Sequence, residues 1–417
     1  MHPSNGIILR HYPLDIGFGG PEPPKRKAPM SGKYGGEGQF LALLSTLTSG
    51  AVVPNGTCDA NLYLLPFSCS AIHNQVKERH LGQYLTERFT KSYLDIVKKH
   101  YPCFNKRKGA DHFFVCCHDM GWTAIQSAAA EDIDVSNNVV WVGYSADLSN
   151  KPGQRFVYGR DVSLPLLARD QEKINPFAKL KNLMFKSSFD PLVPRNGPLA
   201  FFAGTLLNDG PTRARILKLG WATSKKDAKW KTLDWKTLVH TAERSTTGKD
   251  MHAMRSMLVL DGHIDSASYD RFFTTSKFCL APRGMRVWSP RLGEAFEKGC
   301  VPVILANGYS LPLNEDFDWR EFSVFHDDTL PGLTSLPLRL LGIWKNKSYY
   351  DSLRRRLFEV REHFLWPNPH PKKDFDLWKG ASSAGPPIKH DIKDDATGLV
   401  LRKLFKRSVS LMTLPEL

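Results

Sequence analysis

Residues 277–304 read KFCLAPRGMRVWSPRLGEAFEKGCVPVI and give the clearest indication of fold in the chain. The apolar run at its start is typical of a short buried strand, Ser289 suits a helix N-cap, and Pro290 suits the first helical position. Gly299 is expected to end that helix before a second apolar strand at 301–304. The order strand, loop, helix, strand predicts a parallel unit of an α/β fold.

The helix N-terminus within this stretch has the features of an anion site. Arg283 and Arg291 flank it, and the free backbone N–H groups with the helix dipole favour a phosphate there by about 0.3–1 kcal/mol. Charge-assisted hydrogen bonds from the two arginines contribute roughly 1.5–3 kcal/mol each, so the arginines are expected to dominate the binding of a diphosphate.

Glu294 adds a possible second contact to the same ligand. It lies one turn after Arg291 on the same helix face, where its carboxylate can accept hydrogen bonds from a ribose. These residues predict a nucleotide-like ligand. The alternative is that Arg291 and Glu294 pair with each other on a solvated helix.

The size and composition of the chain indicate a folded protein of two domains. It has 417 residues, of which 41% are hydrophobic and 11% aromatic, enough for two domains that each bury a core. The net charge of +15 favours acidic partners such as nucleic acid, an anionic membrane surface, a nucleotide or an acidic polysaccharide. The basic residues are dispersed and no aromatic-interleaved RNA motif is present, so no nucleic-acid partner is expected.

The seven cysteines show no C-x-x-C pair and no zinc-type histidine spacing, so a structural metal is not expected. Cysteines in apolar, strand-like runs are expected to be buried thiols: Cys116, Cys117, Cys279 and Cys300. The remaining ones are the better disulfide candidates in an oxidising compartment: Cys58, Cys69 and Cys103.

Targeting segments are not visible in the sequence. No segment reaches the ~20 apolar residues of a membrane span, and residues 1–36 lack the apolar region of a signal peptide. The chain is therefore expected to be cytosolic or to lack its anchor.

Apolar periodicity predicts an open α/β sheet in the first half of the chain. Strands are predicted at 62–67 and 112–117, a helix at 76–100, and further extended pieces at 139–142 and 157–167. The second half starts with a strand at 199–204 that ends in a glycine turn, Gly204. A basic helix with Arg213 and Arg215 follows, so this turn is a further candidate phosphate contact.

Composition shifts divide the chain into four parts. Residues 1–33 are expected to be a flexible N-terminal segment, because they are rich in proline, glycine and basic residues. The domains are predicted at 34–190 and 191–366, separated by a proline-rich connector, and 367–417 is predicted to be a partly disordered basic tail with a short helix at 398–405.

Five blocks in order along the chain resemble the exostosin family, glycosyltransferase family 47. They are ANLYLLPF at 60–67, DHFFV at 111–115 with HDMG at 118–121, GRDVSLP at 159–165, residues 276–284 with 289–294, and residues 299–304 with 311–312 and 321–325. The resemblance extends over residues 34–364 and implies a GT-B architecture, in which two Rossmann-like domains face a cleft. In that architecture the C-terminal domain (191–366) holds the sugar nucleotide and the N-terminal domain (34–190) holds the acceptor.

The resemblance implies an inverting glycosyltransferase that moves a sugar from a nucleotide donor, a UDP-sugar, to a polysaccharide or glycan acceptor. It implies a Golgi location and, as a further possibility, a homo-oligomer or a complex with another glycosyltransferase. The alternative function is a non-catalytic, exostosin-like paralogue that binds glycan or nucleotide as a partner subunit.

The donor-binding residues implied by the family blocks and the glycine turn are Gly204, Arg213, Arg283, Gly284, Ser289, Arg291 and Glu294. No cofactor or metal is expected, because the Asp-x-Asp motifs at 132–134 and 374–376 lie outside the family blocks. Fixed positive charge can stabilise the departing diphosphate without a metal.

The catalytic base is predicted to be Asp119, with His118 next. Both follow the strand at 112–117, and the carboxyl ends of parallel strands are where open α/β sheets bind ligands. The alternative is that the pair forms a turn in which Asp119 caps the following helix.

Overall fold

The computed structural model describes residues 7–15, 19–25, 27–29, 32–48, 52, 56, 58–149, 156–168, 193–207, 210–223, 228–245, 248–366, 374–375 and 395–413. The chain divides into two compact units. Unit 1 comprises Met1–Pro165, Ser310–Leu313 and Trp366–Leu417, and unit 2 comprises Leu166–Tyr309 and Asn314–Leu365. Helices and strands are numbered below in chain order.

Unit 1 is built on a five-stranded parallel sheet of order β1-β3-β4-β5-β6. The strands are β1 (Leu9–His11), β3 (Leu62–Leu65), β4 (His112–Val115), β5 (Val140–Gly143) and β6 (Val162–Ser163). The strands β3, β4 and β5 are buried along their whole length, as expected when helices cover both faces of a parallel sheet. A separate antiparallel pair joins β2 (Ala28–Pro29) to β13 (Asp374–Phe375).

The helices of unit 1 are α1 (Gly35–Leu47), α2 (Cys69–His73), α3 (Arg79–His100), α4 (Pro102–Lys106), α5 (Gln126–Glu131), α6 (Ile133–Asn138) and α14 (Ala396–Thr413), with a 3-10 turn at Gly121–Ile125. The carboxylate of Glu37, fully buried in α1, ties this helix to the segments that follow β3 and β4. It accepts hydrogen bonds from the Ser68 hydroxyl, from the backbone N–H and hydroxyl of Ser70 (2.9 and 3.0 Å), and from the Cys117 N–H (2.8 Å). Burial raises the pKa of Glu37, although these four donors oppose the shift.

Unit 2 is built on a six-stranded parallel sheet of order β12-β11-β10-β7-β9-β8. Its strands are β7 (Ala200–Gly204), β8 (Ala222–Thr223), β9 (Leu258–Asp261), β10 (Phe278–Pro282), β11 (Val301–Leu305) and β12 (Val324–Phe325). Its helices are α7 (Pro211–Lys218), α8 (Trp235–Arg244), α9 (Lys249–Arg255), α10 (Ser266–Thr275), α11 (Arg291–Lys298), α12 (Leu330–Lys345) and α13 (Lys347–Val360), with 3-10 turns at Ala228–Lys231, Trp319–Glu321 and Arg361–His363. Strand order changes direction about β10 and β7, which places ligand sites at their carboxyl ends in sheets of this type.

A buried arginine fixes the ends of two helices in unit 2. The guanidinium of Arg195 donates from Nη1 to the carbonyls of Phe273 (2.9 Å) and Ser276 (3.0 Å), at the end of α10. Its Nη2 donates to the carbonyls of Lys298 and Gly299 (both 2.6 Å), at the end of α11. One side chain therefore satisfies carbonyls that helix ends leave without an intrahelical partner.

The predicted fold class, α/β with two Rossmann-like domains, is confirmed by the two parallel sheets. The predicted strands at 62–67, 112–117, 199–204 and 278–280 and the helix at 76–100 are present with shifted ends. The stretch at 157–167 contains only the short strand β6. Among the described residues, no helix is both long and apolar enough to cross a membrane.

The predicted domain limits differ from the compact units. The segment 1–33, expected to be flexible, contains β1, because its apolar residues pair with β3 and Arg10 forms an ion pair with Asp59 (2.6 Å). The units divide at Pro165 and Leu166 and not near 190, and Trp366 belongs to unit 1, where its ring packs on Phe40 (5.5 Å). In the tail, α14 is an ordered helix much longer than 398–405, since it buries an apolar face in unit 1. The proline-rich part of the tail lies outside the described residues.

The cysteine predictions were partly wrong. The disulfides are Cys58–Cys103, Cys69–Cys116 and Cys279–Cys300, and Cys117 is a buried thiol as predicted. Cys279 lies in β10 and Cys300 directly precedes the neighbouring strand β11, so sheet pairing brings them together. Burial in an apolar strand was therefore compatible with disulfide formation.

Candidate active site

The loop between β10 and α11 places the predicted anion-binding residues at the carboxyl end of the unit 2 sheet. The helix begins at Arg291, and Pro290 is its N-cap with helical angles of φ −60° and ψ −16°. The prediction that Ser289 is the N-cap was wrong, because the helix begins one residue later and no side chain caps its first turn. The Ser289 carbonyl accepts a hydrogen bond from the Leu292 N–H (3.1 Å). The hydroxyl of Ser289 is buried and has no hydrogen-bond partner among the described residues.

Arg291 and Glu294 form a buried network with Tyr269. Arg291 donates from Nη1 to Glu294 Oε2 (3.2 Å) and from Nη2 to the Ala203 carbonyl (2.8 Å). The Tyr269 hydroxyl donates to the same Glu294 oxygen. The predicted alternative, a pair on a solvated helix, is right about the pairing and wrong about the environment, because Glu294 is only 4% exposed. Both bonds go to Oε2, so Oε1 accepts no hydrogen bond from the described residues.

Gly204, at the end of β7, allows Arg291 to approach the backbone. A Cβ atom at this position would lie 3.0 Å from Arg291 Nη2 and 3.0 Å from the Phe202 ring. Arg291 therefore packs on the strand end itself, and the contact of Gly204 with a phosphate stays a prediction.

A second arginine lies close to Arg291. Arg213 in α7 is buried, donates to the Thr205 carbonyl (3.2 Å), and has its guanidinium carbon 5.5 Å from the centre of the Phe202 ring. The guanidinium carbon of Arg291 lies 5.8 Å from the same centre. Burial, and then the charge of Arg291, lowers the pKa of Arg213 to about 10. Burial also disfavours the charged form of Arg291, but Glu294 and Tyr269 outweigh it, so the pKa of Arg291 is raised.

Arg283 and Gly284 follow β10 directly. Arg283 is buried, and its backbone N–H bonds to the Leu305 carbonyl at the end of β11 (3.0 Å). A Cβ atom on Gly210 would lie 2.1 Å from the Gly284 carbonyl oxygen, and Gly210 has φ +110°. Only glycine fits there, so the loop after β10 packs tightly against the start of α7, the helix that carries Arg213.

The predicted catalytic base lies in unit 1. Asp119 accepts hydrogen bonds from the Tyr34 hydroxyl and from Lys33 Nζ (3.1 Å). Burial disfavours its charged form, but the charge of Lys33 and these hydrogen bonds prevail, so the pKa of Asp119 lies below its ordinary value. The alternative that Asp119 caps the next helix is wrong, because Met120 is the N-cap of the 3-10 turn and no side chain caps it.

His118, the second candidate base, has its tautomer fixed by the backbone. Its Nδ1 accepts a hydrogen bond from the Met120 N–H (3.3 Å). A neutral His118 therefore carries its proton on Nε2, where it donates a hydrogen bond and does not accept one. This geometry favours Asp119 over His118 as a proton acceptor.

The aspartates of the Asp-x-Asp motifs have other surroundings. Asp132 is the N-cap of α6 and accepts from the Asp134 and Val135 N–H groups. Asp376 lies outside the described residues. In the described part of the chain, Glu37, Cys69 and Cys116 come within ligand distance of one another, but their two sulfur atoms form a disulfide.

Sequence reasoning missed several residues of the two sites. Tyr269 and Phe202 complete the arginine cluster, and Lys33 and Tyr34 hold Asp119. No local pattern marks these residues. Tyr269 bonds to a residue 25 positions away, Lys33 and Tyr34 bond to one 86 and 85 positions away, and the Phe202 ring looks like an ordinary core residue in the sequence.

Comparisons with known proteins identify the family. The pattern of the Exostosin GT47 domain matches residues 30–332. A probable glycosyltransferase of Arabidopsis thaliana is 31% identical over 363 residues, which cover 86% of this chain and 58% of the relative. A probable beta-1,4-xylosyltransferase of the same plant is 26% identical over 269 residues, covering 62% of this chain and 55% of the relative. The chain thus spans little more than half the length of these curated relatives.

The solved structures that resemble this one are distant. The catalytic domain of starch synthase IV from Arabidopsis thaliana, bound to ADP and acarbose, has a TM-score of 0.37 and 11% identity, and the match covers 97% of this chain and all of that one. A likeness at this level carries no argument about function. The sequence matches identify the family, and we conclude that the chain belongs to the exostosin GT47 family.

Proposed function

We propose that this chain is a glycosyltransferase that transfers a sugar from a UDP-sugar to a hydroxyl of a polysaccharide or glycan, with inversion at the anomeric carbon. Family membership supports the transferase class, and the names of relatives point to xylosyl or glucuronosyl transfer. The observation that carries the proposal is the pair of largely buried guanidiniums, Arg213 and Arg291, whose central carbons lie 5.5 and 5.8 Å from the centre of one aromatic ring, that of Phe202.

Two largely buried cations this close repel each other, and the carboxylate of Glu294 is bonded to Arg291. A diphosphate bound beside them would offset that repulsion and accept charge-assisted hydrogen bonds. The start of α11 adds the positive end of its helix dipole and the buried Ser289 hydroxyl. Oxygen Oε1 of Glu294 would accept a hydrogen bond from the ribose.

In the proposed reaction, an acceptor hydroxyl oxygen attacks the anomeric carbon of the donor sugar from the side opposite the diphosphate. The new C–O bond forms as the bond to the diphosphate oxygen breaks, and the electron pair leaves with UDP. Arg213, Arg283 and Arg291 would stabilise the negative charge that develops on UDP, so no metal is required. Asp119 would take the hydroxyl proton, and His118 would donate a hydrogen bond to the acceptor.

The three disulfides support an oxidising compartment such as the secretory lumen, in agreement with the Golgi location proposed from the family.

Calorimetric titration with UDP and a panel of UDP-sugars (UDP-xylose, UDP-glucuronate, UDP-galactose) in EDTA tests the donor site. The change to make is Arg213→Ala or Arg283→Ala, each of which removes one guanidinium. Each should weaken UDP binding by about 10- to 150-fold, the equivalent of roughly 1.5–3 kcal/mol. Arg255→Ala is the matched control, since Arg255 is an exposed arginine at the end of α9 in the same unit.

Each outcome decides between the two functions. Metal-free UDP binding that is weakened in both variants by this amount, with transfer of the preferred sugar to a xylan oligosaccharide by the wild type, supports the transferase. Binding without transfer to any acceptor favours the non-catalytic paralogue. A wild-type protein that does not bind UDP in EDTA would overturn the metal-free donor site.

A further inference from the structure

Three aromatic rings contact one another in unit 1. Each ring is half-buried, and none belongs to the buried hydrophobic core. The ring centre of His118 lies 4.5 Å from that of Tyr34 and 4.2 Å from that of His73, with interplanar angles of 38° and 35°. Tyr34, His73 and His118 are called the ring cluster below.

The ring cluster is built from three separate elements. His73 is the last residue of α2, which follows β3. His118 follows β4, in a turn that needs Gly121, since this residue has φ +52° and a Cβ atom there would lie 2.6 Å from the Trp141 ring. Tyr34 is the N-cap of α1. The cluster therefore gathers at the carboxyl ends of β3 and β4, the edge where parallel sheets bind ligands.

The packing of α3 makes room for His73. A Cβ atom at Gly82 would lie 2.5 Å from the His73 carbonyl oxygen and 3.1 Å from its ring. Any larger residue at position 82 would displace the His73 ring or the end of α2. The position of His73 is thus imposed by tertiary packing, although its side chain keeps part of its surface in solvent.

The chemistry of the cluster suits an uncharged ligand with one apolar face. Burial lowers the pKa of His73, which favours its neutral imidazole. Polar and charged groups stand beside the rings: Asp119 bonded to the Tyr34 hydroxyl, Lys33 Nζ 4.6 Å from the Tyr34 ring centre, and Arg79 near Tyr34 and His73. Ring faces with a few convergent polar groups are the usual lining of a small-ligand site.

We propose that the ring cluster is a subsite for a neutral pyranose residue of the acceptor glycan, with His73 supplying ring surface against which the C–H face of the sugar packs. The sugar hydroxyls would meet the Asp119 carboxylate and the Lys33 ammonium. This proposal rests on the proposed function only in calling the glycan an acceptor. Glycan binding itself requires neither the donor nor turnover.

The test is binding of two neutral oligosaccharides, xylohexaose and cellohexaose, in the absence of nucleotide. Calorimetry gives the affinity, and NMR of the imidazole protons reports whether the sugar reaches the histidines. His73→Ala should weaken binding by about 2- to 12-fold, the equivalent of roughly 0.5–1.5 kcal/mol for a ring contact. His73→Phe keeps a ring without a titrating group and should bind within about twofold of wild type.

The control is His240→Ala, which removes an exposed histidine of α8 in unit 2. Its affinity should equal that of wild type, and circular dichroism should show all variants folded. The proposal is overturned if neither oligosaccharide binds, if His73→Ala binds as well as wild type, or if His73→Phe is as weak as His73→Ala. If the protein binds oligosaccharide but not UDP, the glycan subsite is supported and the proposed function is rejected. If it binds UDP but not oligosaccharide, the proposed donor site is supported and the glycan subsite is rejected.

Discussion

Replacement of Arg195 by alanine should destabilise unit 2 more than any exposed substitution. Its guanidinium is buried and donates four hydrogen bonds to backbone carbonyls, at 2.6 to 3.0 Å, where α10 and α11 end. In Arg195→Ala these carbonyls lose their donor inside the protein. The helix α11 also carries Arg291 and Glu294, so its position matters to the proposed donor site.

The expected loss follows from opposing contributions. Charge-assisted hydrogen bonds contribute about 1.5–3 kcal/mol each, so the four together are worth several kcal/mol. Burial lowers the pKa of Arg195 to about 10. Removal of the side chain relieves the corresponding desolvation cost, which is on the order of 3 kcal/mol. Water entering the vacated space would satisfy some carbonyls. The net loss in the free energy of unfolding should be about 3–5 kcal/mol, the range for removing one partner of a buried charged network.

Urea denaturation followed by tryptophan fluorescence and circular dichroism, with the disulfides intact, measures this loss. Because a protein of two units need not unfold in one step, the midpoint of the transition assigned to unit 2 is the quantity to compare. Arg195→Lys should fall between wild type and Arg195→Ala, since an ammonium cannot span both helix ends as the planar guanidinium does. Arg255→Ala should change the free energy by less than about 0.5 kcal/mol.

A loss below about 1 kcal/mol in Arg195→Ala would refute the reasoning, because it would mean that water replaces the guanidinium at little cost. An Arg195→Lys variant as unstable as the alanine variant would show that guanidinium geometry, and not the positive charge, is the whole effect.

Three further predictions concern titratable groups, of which Glu37 and Lys277 are buried and Asp119 is half-buried. Glu37→Gln should lower the free energy of unfolding by about 2–4 kcal/mol in thermal or urea denaturation, because an amide has one acceptor oxygen where two now serve four donors. Burial lowers the pKa of Lys277 to about 8; the unfolded chain then binds this proton more tightly, so stability should rise with pH from about 8 to about 10.4. The urea midpoint should show this rise, and Lys277→Met should reduce it. If Asp119 is the base, its lowered pKa places the acidic limb of kcat/KM below about pH 4, and Asp119→Asn should remove transfer while keeping UDP binding.

Each of these three predictions would be contradicted by a specific result. A Glu37→Gln variant as stable as wild type would mean that the buried charge costs as much as its hydrogen bonds contribute. An equal pH slope in wild type and Lys277→Met would exclude Lys277 as its source. An acidic limb near about pH 6.5, the ordinary range of an imidazole, would move the base role from Asp119 to His118.

Local sequence patterns were sufficient for the elements that form from neighbouring residues. Apolar runs marked β3, β4, β7 and β10, and the amphipathic spacing of 76–100 marked α3. Patterns failed where a segment is short or gains its structure from a distant partner. The strand β1 was not predicted, because it lies in a proline- and glycine-rich segment. It forms because it pairs with β3 and because its residue Arg10 makes an ion pair with Asp59.

The candidate site shows the same division. The sequence alone determined the α/β class, the family blocks and the residue types of the anion site, because helix caps, strand runs and charged motifs are properties of a few adjacent residues. Only the tertiary structure decided that Arg291 and Glu294 form a network with Tyr269. It also decided that Arg213 packs against the same Phe202 ring as Arg291, and that Cys279 forms a disulfide with Cys300. Burial, ring contacts and disulfides depend on which strands lie side by side, and that pairing is set by the packing of the whole sheet.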